Sequence, residues 1–99
     1  MYWSAWIVGV DNDWAVVNSD YASVILTSVL KNMDVTTFNA IQSVIDGTFA
    51  GGVTVGTLEN GGVGLAEFHS LDSMVSAELK AELEQVRADI IAGTIKSKP

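Results

Sequence analysis

The sequence predicts an α/β fold, and three observations carry that expectation. Ala5 to Val10 is a continuous apolar run that stops at the polar Asp11-Asn12-Asp13. Val24 to Leu30 is a second apolar run rich in β-branched residues. Two stretches with helical spacing of apolar residues, 35–46 and the segment after Ser76, are interspersed with such runs. Strands alternating with helices point to a mostly parallel sheet with helices packed on it.

The elements follow in order. A short all-apolar run bounded by a polar cluster reads as a buried, parallel strand, so Ala5 to Val10 is taken as one. The loop after it lies where open α/β sheets bind ligands, outside the carboxyl ends of the strands. Trp14 to Ser23 is mixed, with Asn18-Ser19-Asp20 as a turn signal. Val24 to Leu30 reads as a strand on β-branching, with a short helix as the competing assignment. Asp34 suits the N-cap of a helix from Val35 to about Asp46. Phe38, Ile41 and Ile45 recur on one face of that helix, with Val44 and Phe49 nearby. Gly47 or Gly51 can end it. Asn60-Gly61 lies between two short apolar runs, Gly52 to Leu58 and Gly62 to Phe68, and signals a β-hairpin. Ser73 or Ser76 caps the last helix, with Glu78 in its first turn, where the helix dipole favours negative charge. Leu79, Leu83, Val86 and Ile90 form its apolar stripe, and Gly93 ends it before the tail Lys96 to Pro99.

Composition narrows the function classes. With 99 residues the chain is read as a single domain, 1–99, with little stability to spare. An apolar content of 48 % is too high for disorder. The net charge of −7, without a Lys/Arg cluster outside the tail, argues against nucleic-acid binding and against anionic membranes. The absence of cysteine excludes disulfides and thiolate chemistry, and a single histidine excludes a multi-histidine metal site. No nucleophile–base pair or phosphate loop can be assembled, so no enzyme and no cofactor are expected. No signal peptide or transmembrane stretch is visible, so no membrane insertion is expected and the compartment is left open.

Three motifs in order carry a resemblance: Trp6-Ile7-Val8-Gly9-Val10-Asp11, Leu26-Thr27-Ser28-Val29-Leu30-Lys31 and Glu59-Asn60-Gly61-Gly62-Val63-Gly64-Leu65. Together they resemble the C-terminal end of the basic membrane protein (BMP) family of bacterial substrate-binding lipoproteins, which bind purine nucleosides for ABC importers. The resemblance implies part of the C-terminal lobe of a type I periplasmic-binding-protein fold, with a C-terminal hairpin plus helix. It implies a truncated piece or shortened gene product of a membrane-anchored, extracytoplasmic parent. The partners it implies are a purine nucleoside, bound once the missing lobe is supplied, and the permease. The chain departs from the family pattern at Trp14, where a glutamine is usual, and at the extra glycine in Gly61-Gly62.

The candidate ligand-binding residues are Asp11, Lys31 and Asp13. A carboxylate at a strand end can accept two hydrogen bonds from a vicinal diol. On composition alone Asp11 is an ordinary loop or cap aspartate; the resemblance makes it the ribose contact, with Asp13 as runner-up. Lys31 by itself is a solvated edge charge; the resemblance makes it reach the nucleoside. An Asp11–Lys31 salt bridge without ligand is also expected. The glycines at 61, 62 and 64 read as turn glycines. Trp3, Trp6 and Trp14 read as core packing or cover rather than a stacking platform. His69 reads as a surface loop residue. The function expected is thus the ligand-binding segment of a nucleoside importer, incompetent alone. The alternative is a self-associating or regulatory interaction module of the same family. High apolar content and unpaired strand edges further suggest a homo-oligomer.

Overall fold

The structure is a computed structural model that describes residues 5–98. Three strands form one sheet in the order β1 (Ile7–Asp11), β2 (Ile25–Lys31), β3 (Val63–Leu65). Between β1 and β2 lie a single helical turn, α1 (Trp14–Val17), and a 3-10 segment, Ser19–Val24. Helix α2 (Met33–Ile45) follows β2; a second 3-10 segment, His69–Met74, and helix α3 (Ala77–Ala92) follow β3. Residues expected from the sequence at Trp3 and Pro99 lie outside the described range.

The sheet is mixed, which corrects the expectation of a mostly parallel periplasmic-binding-protein lobe. β1 and β2 run parallel, but β2 and β3 run antiparallel, with Val29 opposite Leu65 and Lys31 opposite Val63. The reason is where the chain re-enters. After α2, residues 46–62 return to the carboxyl end of β2 instead of its beginning. There the Asn32 amide donates to the Gly62 carbonyl at 2.9 Å, and Asn32 Nδ2 donates to the Gly61 carbonyl at 2.8 Å. A strand that starts beside the end of its neighbour must run backwards along it.

The expected hairpin is corrected as well, because residues 52–57 form no strand. Asn60 closes the segment as a loop. Its Oδ1 accepts from the amides of Thr57 (2.8 Å) and Gly62 (2.9 Å), and its Nδ2 donates to the Val55 carbonyl (2.9 Å). Gly61 has φ 75°, and a Cβ on Gly62 would collide with the Gly56 backbone. The glycines thus serve a positive φ and a close backbone crossing.

Other boundaries shift little. The second run is a strand, not a helix, because its residues pair on both sides. Helix α2 begins two residues earlier than expected, after Asn32, and Asp34 falls in its first turn. Ser76 caps α3 by accepting from the Leu79 amide at 3.1 Å, and Gly93 ends it at φ 81°.

The small core sits around the start and middle of β2. Ile25, Thr27 and Ser28 are buried there, with Ala15, Ala66 and Val75. Its polar members are satisfied: Thr27 donates to the Ala66 carbonyl at 2.7 Å, and Ser28 Oγ accepts from the Trp14 amide at 3.1 Å. The expectation that β1 is buried fails, since only Gly9 in it is buried and Ile7, Val8 and Val10 are about half exposed. Neither α2 nor α3 buries a single residue. The molecule is elongated, 60 × 34 × 24 Å, with a radius of gyration of 16.6 Å; a compact chain of this length has about 13 Å.

Candidate functional site

Asp11, Asp13, Lys31 and His69 form two close polar pairs near the carboxyl ends of β1 and β2, the salt bridge Asp11–Lys31 and the hydrogen-bonded contact Asp13–His69. Asp11 is the last residue of β1 and stands opposite Leu30, so Lys31 is the next residue along the neighbouring strand. Lys31 Nζ lies 2.9 Å from Asp11 Oδ1, and the two side chains are 65 % and 49 % exposed. The contact has the distance of an ion pair but not the angles of a hydrogen bond, so Asp11 Oδ1 feels a charge without a directed donor. At this exposure the pair contributes about 0–1 kcal/mol. The salt bridge expected from the sequence is therefore present, and weak.

Asp13 precedes α1, the position of a helix cap, yet its side chain makes no capping bond. Instead Asp13 Oδ2 meets His69 Nε2 at 2.6 Å, across 56 residues of sequence. Both side chains are roughly three-quarters buried. This pair ties the loop after β1 to the 3-10 segment after β3. Asp13 Oδ1 is shielded from solvent and has no hydrogen-bond partner. A shielded acceptor costs free energy unless a donor, water included, reaches it.

Asp11 and His69 share a second feature. Among the described residues they are the non-glycine residues with positive φ, 74° and 44°. Asp and His are among the types that tolerate this region best. Backbone in such conformations persists where the surroundings enforce it, often at functional positions. Each pair thus contains one residue held this way.

Trp14 anchors the loop that carries Asp11 and Asp13. Its Nε1 donates to the Val10 carbonyl at 2.8 Å, its amide binds Ser28, and its ring lies against Gly9. Trp14 is therefore packing, as expected, while Trp6 is half exposed.

An open cleft of ≈ 600 Å³ lies between the segment after β3 and α3. His69, Phe68, Leu83 and Glu84 line it, but Asp11, Asp13 and Lys31 do not. Asp72 and Lys80 pair in it at 2.7 Å. The structure brings the three expected residues together without placing them in a common cleft. His69, read from the sequence as a surface loop residue, was not expected to join the site, and no local pattern could reveal a partner 56 positions away. The glycine loop offers no phosphate cradle, because Asn60 already accepts from the amides of Thr57 and Gly62. Among the described residues no group of three metal-ligating side chains gathers. No described helix is long and apolar enough to cross a membrane.

No family model and no curated protein match the chain. Among solved structures, a transcriptional activator of the comK gene from Bacillus halodurans aligns with a TM-score of 0.72 and 23% identity. The alignment covers 87% of this chain and 28% of that one, so the chain spans just over a quarter of its neighbour's length. At this identity the likeness establishes the fold. It overturns the BMP-family reading: three short motifs and their order did not suffice, since no family model matches and the neighbour is described as a transcriptional activator. The expected nucleoside importer function falls with it, as do the purine nucleoside, the permease and the lipoprotein parent. The exclusion of nucleic acid is corrected too. Net charge averages over a surface and does not by itself decide whether a local group of cations contacts phosphate, and the neighbour is described as a transcriptional activator. What the fold and the comparison together support is a small mixed α/β unit similar to part of a transcriptional activator.

Proposed function

We propose that this chain is a regulatory segment of a transcription-control protein, acting by binding rather than catalysis. The observation that supports the reading is the fold likeness to the activator of comK, which extends over 87% of the chain. The site agrees with a binding role: Asp11 and Lys31 form a salt bridge and Asp13 a hydrogen-bonded contact with His69, so polar side chains are held at one end of the sheet.

The test is genetic and direct. Deleting the gene in its host and measuring transcripts genome-wide should alter a discrete set of genes. Restoring the wild-type gene should reverse the change, and restoring Asp13→Ala should reverse it only in part. An unchanged transcript profile in the deletion strain would refute the regulatory role. Full complementation by Asp13→Ala would remove the site from it.

A further inference from the structure

We infer that Asn60 is a site of spontaneous covalent modification, at which the loop 55–62 sets the side-chain amide against the main-chain nitrogen of Gly61. In the reaction that nitrogen attacks Cγ of Asn60 and gives up its proton. A bond forms between Gly61 N and Asn60 Cγ, the bond from Cγ to Nδ2 breaks, and Nδ2 leaves as ammonia, carrying the proton away. Water then opens the cyclic imide at either carbonyl, which yields an ordinary aspartate or an isoaspartate. Water is the only co-reactant, and nothing is oxidised or reduced.

Sequence and geometry select this residue. Asparagines stand at 12, 18, 32, 39 and 60, and only Asn60 precedes a glycine. The others precede Asp13, Ser19, Met33 and Ala40, whose Cβ atoms crowd the attacking nitrogen; Gly61 has none. Asn60 is exposed, so water reaches it. Among the described residues the Gly61 amide donates to no acceptor, so no other bond occupies the nucleophile. The electrophile is polarised, because the amides of Thr57 and Gly62 donate to Asn60 Oδ1 at 2.8 Å and 2.9 Å. Negative charge develops on that oxygen as the nitrogen adds, and N–H donors aimed at a developing oxyanion lower such a barrier. Both bonds hold the oxygen, which stays on Cγ throughout. The Val55 carbonyl accepts from Nδ2 at 2.9 Å and can go on accepting as that nitrogen departs.

The modification acts where β3 begins. An isoaspartate inserts a methylene into the main chain between positions 60 and 61. Just beyond it, the Gly61 and Gly62 carbonyls accept from Asn32 at 2.8 Å and 2.9 Å, and Gly62 crosses the Gly56 backbone too closely to admit a Cβ. A lengthened backbone cannot keep that crossing and both bonds. β3 spans only Val63–Leu65, so it has little ladder of its own to hold its register once the loop is lost. The ordinary aspartate is milder: it keeps the oxygen acceptor and loses the donor to Val55.

The test is to incubate the whole chain in mildly alkaline buffer and follow each asparagine by peptide mapping and mass spectrometry. Isoaspartate is counted by enzymatic methylation. A synthetic peptide of residues 55–65 provides the same sequence without the fold. Asn60 should convert roughly tenfold or more faster than Asn18, whose neighbour Ser19 has a Cβ. Because the folded loop supplies the two N–H donors, Asn60 should convert in the chain at least as fast as in the peptide. Chains carrying isoaspartate should lose hydrogen-exchange protection at residues 63–66 while residues 77–92 keep theirs. Gly61→Ala should slow the conversion; if that variant misfolds, the ratio of Asn60 to Asn18 in the unaltered chain still decides. Three results would overturn the inference: another asparagine converting first, a folded chain slower than its peptide, or isoaspartate at position 60 with protection at 63–66 unchanged. These readouts do not depend on a regulatory role, so their failure leaves the transcript experiment standing, and the reverse also holds.

Discussion

Gly9→Ala should be among the most damaging single-methyl changes in this chain, and its cost can be worked out from the contacts. Gly9 is the buried centre of β1, opposite Ser28. A Cβ there would overlap Cγ of Trp14 and Oγ of Ser28. Neither neighbour can step aside freely. Ser28 is fully buried, and its Oγ holds the Trp14 amide at 3.1 Å, while the Trp14 ring is tied to the Val10 carbonyl at 2.8 Å. Overpacking a filled site costs about 1–3 kcal/mol, and a broken hydrogen bond adds about 1 kcal/mol. The expected loss is thus about 2–4 kcal/mol, a large share of the stability of any small domain. Small proteins lose ~1–3 kcal/mol of stability per molar urea, so the midpoint should fall by roughly 1 M or more. The control is Gly51→Ala, where nothing lies within 4 Å of the new methyl and φ is not positive. It should leave stability unchanged or raise it by up to about 1 kcal/mol through the unfolded chain. Urea unfolding followed by far-UV circular dichroism decides the matter. Equal midpoints for the two variants would refute the packing of Trp14 on Gly9, and with it the placement of the loop that carries Asp11 and Asp13.

Other changes should separate the strong contacts from the weak ones. Lys31→Met should cost less than about 1 kcal/mol, because its ion pair with Asp11 is half exposed; a larger loss in urea unfolding would mean the lysine has a second role. A double-mutant cycle on Asp13→Ala and His69→Ala should give a coupling of about 0.5–3 kcal/mol, the range for residues in direct contact; additive effects would dissolve the link between the two loops. Asn60→Ala should open the 55–62 loop, because it removes three hydrogen bonds at once, and limited proteolysis should then cut there first. Ser76→Ala should lower stability by about 1 kcal/mol through loss of the helix cap, whereas Ser73→Ala should be silent.

Local physics explains which parts of this architecture were legible. The cap at Ser76, the stop at Gly93 and the strand at β2 depend on residues close in sequence, and each lies where its local signal puts it. The sheet's mixed character was not legible, because it depends on where a 17-residue connection, 46–62, returns the chain. Both outcomes begin with the same apolar runs. The hairpin signal at Asn60-Gly61 misled for a related reason. The same residues that favour a two-residue turn also let Asn60 fold its side chain onto its own loop, and that option won. At the site, the Asp11–Lys31 pair was foreseeable because both residues end neighbouring strands. His69 was not, because its partner is brought near only by the complete tertiary path. Motif order proved the least reliable signal. Strand-end aspartates, strand-end lysines and glycine turns recur in many α/β sheets, so their sequence alone does not separate one family from another.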